Sequence, residues 1–332
     1  MKIFLTTVSL FFIILISSCN NSPLTPSVTE EKIEWKQVDS VNGGYFPGPV
    51  AAGENNTFYY IHDNFLFRCT EGSKTLIPIS YENSGAATIK VYNNNYIILG
   101  AYGVTNGQWI LKAKILSHDS LSVITLDTIP DISPPEILVV APGKFYIASK
   151  EHYYFVDNGS VSKFDLTGVN NVTGISKIGN TIFILAYNLG YGESIFRLGA
   201  DNSPSLYENN QEFSETFTSD KNIIRARYAD SLMLMDYLTE GGWVNFRRGN
   251  FQFFNMAAFD DLDYIYLISN TSKQGIEHHG NMWNGAQYFT DNNFPFTNGL
   301  GNVFYFGNMK NNTFYAAILD HGFRILRGRR VF

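Results

Sequence analysis

From Ile33 onward, short runs of β-branched and aromatic residues alternate with clusters of Gly, Asn, Asp and Pro. No stretch keeps the i, i+3, i+4 apolar spacing of an amphipathic helix, so the pattern predicts strands and tight turns throughout. Seven runs stand out: Thr57–Ile61, Tyr96–Gly100, Lys144–Ser149, Thr181–Tyr187, Ser231–Tyr237, Asp263–Ser269 and Thr313–Leu319. The first and last start 256 residues apart, a mean period near 43. A period of that size without helices points to a stacked or radial array of small sheets.

Two of the repeats are near copies. Asn55–Gly72 (NNTFYYIHDNFLFRCTEG) aligns without a gap on Asn311–Gly328 (NNTFYAAILDHGFRILRG), identical at eight of eighteen positions. Each repeat divides into four strands, A to D. In the first these are Val50–Gly53, Thr57–Ile61, Phe65–Cys69 and Lys74–Ile79. The third reads Glu136–Ala141, Lys144–Ser149, His152–Val156 and Ser160–Asp165, with Asn158-Gly159 suiting the left-handed backbone of a hairpin turn. The sixth reads Asn255–Phe259, Asp263–Ser269, Gln274–His278 and Ala286–Phe289. The seventh has Asn302–Gly307, Thr313–Leu319 and Gly322–Arg327, then stops before a D strand. Ile33–Val41 precedes the first A strand and belongs to no repeat. The expectation is an all-β fold, a seven-bladed β-propeller of four-stranded antiparallel blades. Its ring is closed by Glu34–Val38 pairing beside the last C strand, which removes strand edges that otherwise invite aggregation.

C strands of the form FLFRCTEG and GFRILRG, each after a B strand and a short polar turn, resemble the blades of bacterial periplasmic seven-bladed β-propellers, including those of sensor proteins and envelope lipoproteins. The resemblance covers about residues 33–332 and implies the fold. The Trp-Asp pair of WD40 blades, the Gly-Gly of kelch blades and the Asp-box of sialidase blades are not repeated, so no named family's function comes with it.

The amino terminus reads as an address. Lys2 precedes a mostly apolar run, Ile3–Ile16, too short for a permanent transmembrane helix of about 20 residues. It ends in Ile16-Ser17-Ser18-Cys19, which resembles the bacterial lipobox. That resemblance implies cleavage before Cys19 and lipid on its thiol and new amino group. Residues 1–18 are then a signal peptide and 19–32 a lipidated Cys with a polar tether carrying Pro23 and Pro26. Several acyl chains anchor stably where one does not. The expected location is the cell envelope, on the periplasmic or cell-surface face of a bacterial membrane. Cys69, the only other cysteine, is left without an intrachain partner and reads as a small core residue.

Bulk properties narrow the partners. Charged residues are 16 % and aromatic residues 15 %, and net charge is −6. The short Arg327, Arg329, Arg330 group in a strand-like tail reads as a solvated edge, so nucleic acid is excluded as a partner. A monomer with a protein or glycan ligand is expected.

Residues with chemical potential are few. His278-His279 sits where adjacent strand residues face opposite ways, so the two cannot easily share one ion; Glu277 and His279 share a face, but a surface turn is the simpler reading. Asp260, Asp261 and Asp263 lack the spacing of a calcium loop. Neither a metal nor a cofactor is expected, and no catalytic residue is nominated. The B–C and D–A loops share one rim of a propeller. The candidate ligand-binding rim is His62, Asp63, Tyr102, Glu151, Tyr191 and His321, in B–C loops that also hold Thr239–Gly241. Aromatic and Asn side chains there suit stacking on a sugar ring or a peptide. A non-catalytic binding or scaffold module is the favoured reading. The alternative is an extracellular polysaccharide-active lyase or hydrolase whose carboxylates converge at the channel mouth from several blades.

Overall fold

The computed structural model describes residues 32–41, 49–62, 65–79, 88–129, 133–188, 192–210, 214–229, 232–249, 256–259, 265–269, 275–279, 288–291, 302–306, 313–319 and 323–331. Regular structure among them is all strand, and it forms seven four-stranded antiparallel sheets. Sheet one is β2 (Val50–Ala52), β3 (Phe58–His62), β4 (Phe65–Thr70) and β5 (Ser73–Pro78). Sheet two is β6 (Thr88–Asn93), β7 (Tyr96–Thr105), β8 (Gln108–Ser117) and β9 (Ser120–Ile129). Sheet three is β10 (Glu136–Ala141), β11 (Lys144–Ser149), β12 (His152–Asp157) and β13 (Ser160–Asp165). Sheet four is β14 (Val169–Ile178), β15 (Thr181–Asn188), β16 (Glu193–Leu198) and β17 (Pro204–Asn210). Sheet five is β18 (Ser214–Thr218), β19 (Ile223–Ala229), β20 (Leu232–Thr239) and β21 (Gly242–Gly249). Sheet six is β22 (Met256–Phe259), β23 (Ile265–Ser269), β24 (Gly275–His279) and β25 (Tyr288–Asp291). Sheet seven is β26 (Asn302–Phe306), β27 (Thr313–Leu319) and β28 (Phe323–Val331), with β1 (Lys32–Val41) as its outer strand.

The amino-proximal strand lies where the sequence placed it, antiparallel to β28, with Trp35 opposite Gly328 and Val41 opposite Phe323. Consequently β28 is not an edge. Arg327 and Arg329 lie on a strand flanked on both sides, which corrects their reading as a solvated edge. The fifth repeat also needs correction. Its second strand is Ile223–Ala229, and the run expected in that role is the third, β20. Arg225 and Arg227 interrupt the apolar pattern of β19 and hid it. In the fold both are answered by Asp236, which is 2 % exposed, with Arg227 Nε 2.6 Å and Arg225 Nη2 3.4 Å from its Oδ2. Thr239–Gly241 is therefore a third-to-fourth-strand turn, at the opposite end of the sheet from the rim.

The inner strands of sheets one to four read as apolar runs because both faces of these sheets are covered. In β3, Phe58 and Tyr60 pack with Tyr315, Ala317 and Ile325 of sheet seven. Between them, Tyr59 and Ile61 pack with Ile89, Ile97 and Leu99 of sheet two. Period-two alternation thus feeds two different cores from one strand. The same holds for sheets two and three, three and four, and four and five. The first strand of each sheet neighbours the first strand of the next from β2 through to β26, and β26 neighbours β2.

Polar latches fix four of the junctions among the described residues. The tyrosine shared by the two near-identical repeats leaves its own sheet for the first turn of the following one. Tyr59 Oη donates to the Asn94 carbonyl at 3.3 Å, and Tyr315 Oη to the Asn56 carbonyl at 3.2 Å. Tyr96 Oη repeats the contact as acceptor, from the Gly143 N–H at 2.8 Å. Farther out, a carboxylate on the outer strand of one sheet grips the next. Asp39 accepts from Tyr60 at 2.8 Å and Lys74 at 2.7 Å, and Asp127 from Tyr154 at 2.8 Å and Lys163 at 2.6 Å. Glu208 accepts from Arg225 at 2.6 Å and from the Trp243 indole. Burial opposes charge on Asp39 and Asp127, but these hydrogen bonds outweigh it and hold both carboxyls below the usual range.

Tyr59→Phe and Tyr315→Phe should each cost about 1 kcal/mol in urea unfolding, the net worth of one hydrogen bond plus an orphaned turn carbonyl. Tyr207→Phe, whose ring is 38 % exposed, should be neutral. Equal losses in all three variants would contradict the latch.

Candidate functional site

In up-and-down sheets, the links between second and third strands and between successive sheets fall at one end, the rim. The structure distributes the sequence-nominated rim residues rather than gathering them. His62 ends β3, half-buried, its ring edge-on to Phe67 with centroids 6.5 Å apart. Glu151 sits in the β11–β12 turn, its carboxylate 3.5 Å from His152 Nε2, and its carbonyl accepts from the Leu166 N–H at 2.7 Å. Tyr102 is not a loop residue. It lies inside β7, 1 % exposed, because β7 and β8 run on to the Asn106-Gly107 turn. Its hydroxyl donates to the Ser133 carbonyl and lies 2.6 Å from Ser149 Oγ, so it knits sheets two and three. Asp63, Tyr191 and His321 lie outside the described residues, as do Cys19, Asp260, Asp261 and Asp263. His278 and His279 fall within β24, opposite Tyr266 and Ile265, not in a turn. Among the described residues no group of His, Cys, Asp and Glu could hold a metal ion.

What the rim does assemble is a cavity of about 620 Å³ at the junction of sheets three and four. Asp165 comes from the end of β13, Gly168 from the link between the sheets, Asn188 from the end of β15, Ser194 from β16, and Pro204, Leu206 and Asn209 from β17. Asn188 Nδ2 donates to Ser194 Oγ at 2.8 Å and to Asn209 Oδ1 at 3.0 Å, and Ser194 Oγ donates to Asn209 Oδ1 at 3.3 Å. Asp165 Oδ1 is engaged by His152 Nδ1 at 2.8 Å. Asparagines inside strands, where they are rare, were the available signal for this site.

A second constellation lies among the first strands. Lys90 of β6, in sheet two, forms an ion pair with Asp220 in the first turn of sheet five. A cavity of about 500 Å³ there is lined by Lys90, Lys177, Asp220 and Lys221 against Leu138 and Val139. Glu136 heads β10 nearby. It is walled by protein yet keeps partial access to open space, and desolvation, only partly offset by Lys90, raises its carboxyl to about 7.

The third cavity, about 350 Å³, follows the seam where β1 meets sheet one and includes Lys36, Asp39, Cys69, Lys74 and Arg327. Cys69 is a core residue there, as expected. It is 4 % exposed, and burial first and Asp39 second push its thiol up to about 12.

No protein-family model and no curated protein sequence matches this chain. Solved structures do. A structure described as "YCF48 bound to D1 peptide" is 11 % identical with TM-score 0.57, covering 89 % of this chain and 96 % of that one. The β-propeller domain of Cps50 (Swd1) from Myceliophteria thermophila is 10 % identical with TM-score 0.60, covering 89 % and 99 %. The fold is a β-propeller. The extracellular domain of the putative one-component system BT4673 from B. thetaiotaomicron is similar as well, 12 % identical with TM-score 0.53; the match covers 88 % of this chain and 40 % of that one. At such identities the propeller likeness speaks to fold alone.

Two outcomes follow from the titrating groups. A carboxyl raised in the fold disfavours folding above its unfolded value, fully so above about 7, and has no effect well below the usual glutamate range. Glu136→Gln should therefore raise the melting temperature at pH 8 and leave it unchanged near pH 4; a loss at pH 8 would contradict the burial argument. The Cys69 thiol should resist a disulfide reagent at pH 8 in the native chain and react at once in urea.

Proposed function

We propose that the chain is a lipid-anchored, monomeric binding module of the bacterial cell envelope, a seven-bladed ring with the amino-proximal strand completing the last blade. Support for the ring comes from the β1–β28 pairing and from the cyclic order of neighbouring first strands. Anchoring rests on the lipobox at Cys19 and the polar tether after it. The tether enters the fold at Lys32, opposite Val331, at the end of sheet seven away from the rim. Thirteen tether residues from Cys19 to Glu31 reach at most ~45 Å, so the rim is held near the membrane but faces outward.

The observation that carries the binding reading is the rim cavity between sheets three and four. Its walls are amides, hydroxyls, apolar side chains and one carboxylate, Asp165, already engaged by His152, a composition that suits recognition. One propeller of like fold is described bound to a peptide, which suits a protein ligand, and the cavity's amides suit a glycan equally. A photo-crosslinking residue at Thr167, on the cavity wall, should capture an envelope component in cells; the same residue at Glu71, on the opposite end of sheet one, should not. Equal capture at both positions, or at neither, contradicts a rim-borne binding function.

A polysaccharide-active enzyme is the second reading, favoured by Glu136, whose raised carboxyl lies near the Lys90–Asp220 pair. It requires release of oligosaccharides from an envelope or extracellular polymer, abolished by Glu136→Gln. Absence of any such release removes it.

Cys19→Ala should shift the chain from the membrane fraction to the soluble exported fraction and abolish labelling by a fatty-acid probe. Retention in the membrane would contradict anchoring through that thiol.

A further inference from the structure

We propose that the rim cavity between sheets three and four binds a neutral saccharide. The proposal rests on reading the chain as a binding module and names the ligand class of that site.

Three features argue for it. The cavity, about 620 Å³, lies within the roughly 300–1,000 Å³ of small-ligand sites. Its polar wall is pre-organised and unsaturated. Asn209 spends its Oδ1 on Asn188 and Ser194, and among the described residues its two Nδ2 donors are unused; Asn188 likewise keeps a free Oδ1 acceptor. Asp165 uses Oδ1 on His152 and keeps Oδ2. Donor and acceptor side by side on fixed groups match the adjacent hydroxyls of a sugar ring, each of which both gives and takes a hydrogen bond. The apolar wall is the third feature. Leu206 is 58 % exposed beside Phe196 and Pro204, and supplies a surface for the C–H face of a pyranose.

Charge sets the class. Among the described residues Asp165 is the only charged side chain lining the cavity, and none of them offers a cation to receive a uronate, sulfate or phosphate. A phosphorylated or strongly acidic ligand would meet a negative wall instead. A peptide would leave most of its main-chain N–H and C=O groups facing side-chain amides in a short concavity rather than a strand edge.

The test is saturation-transfer NMR of the mature chain, purified in detergent, with a panel of neutral hexasaccharides of glucose, mannose and galactose. The same panel includes a hexauronate and an unstructured acidic peptide. At least one neutral sugar should bind. Asn209→Leu and Asn188→Leu should each weaken it about tenfold, the equivalent of about 1.4 kcal/mol, with melting temperatures kept. Leu206→Ser should weaken it severalfold. Affinities unchanged in both Asn variants overturn the proposal, as does binding confined to the hexauronate or the peptide. No bound sugar at millimolar concentration also overturns it. If Thr167 still captures a protein in cells, the binding-module reading survives that failure; if it captures nothing, both fall.

Discussion

Sheets one to four each pack apolar side chains against a neighbour on both faces, so none of them can stand without a neighbour on each side. This constraint organises the molecule. Tyr59 and Tyr60, adjacent and fully buried, serve different cores, one with sheet two and one with sheet seven. A sheet of four short strands is marginal alone; the stable unit is the junction between two of them. The junctions of sheets seven and one, one and two, and two and three combine interleaved side chains with a polar latch, and the latch sets spacing where apolar contact alone would allow sliding. The Tyr–turn contact near the inner strands and the carboxylate grip near the outer strand hold sheets seven and one, and sheets two and three, at two radii.

That arrangement explains why the near-identical repeats share the residues they do. Asn55-Asn56-Thr57-Phe58-Tyr59 recurs as Asn311-Asn312-Thr313-Phe314-Tyr315. Asn55 and Asn56 both adopt positive φ, 55° and 57°, a backbone that asparagine tolerates better than most residues. Thr57 and Thr313 are each 3 % exposed. The tyrosines are the latches. Repetition here records a junction requirement, not a catalytic one. Asn94, in the corresponding turn of sheet two, accepts from the Glu54 N–H and donates to the Glu54 carbonyl, at 2.9 and 3.0 Å, and so clasps the turn behind it.

Much of the fold was legible. The first strand and second strand of sheet three, and the second strand of sheet seven, fall on their expected bounds, because Gly, Asn and Pro mark their ends. Sheet five misled for a physical reason. Its second strand carries two arginines whose charge is met by Asp236 and Glu208, contacts no local pattern reveals. The rim was harder. Tyr102 looked like a loop residue because Gly103, Asn106 and Gly107 follow it, yet β7 continues through Gly103 and buries the ring. Asn188, Ser194 and Asn209 are spread over 22 residues and meet only because β15, β16 and β17 fold back on one another. Sequence spacing carries no trace of that convergence.

The two ends of the sheets differ in kind. One end is occupied by first turns clasping each other, through Asn94, Gly143 and Asn222. Glu240 adds to it by accepting from the Asn180 N–H at 3.0 Å, which a side chain at Gly179 would block. The rim end holds the amide-lined cavity, while the first-turn end holds the cavity lined by Lys90, Lys177, Asp220 and Lys221.

The central claim is that the two chain ends meet and complete one sheet. Cysteines placed at Lys36 and Arg327, which sit opposite each other on β1 and β28, test it most directly, read by oxidative cross-linking in the otherwise native chain with Cys69 left buried. The account predicts efficient disulfide formation within the monomer and a raised melting temperature. Failure to cross-link, or cross-linking only between chains, would contradict it.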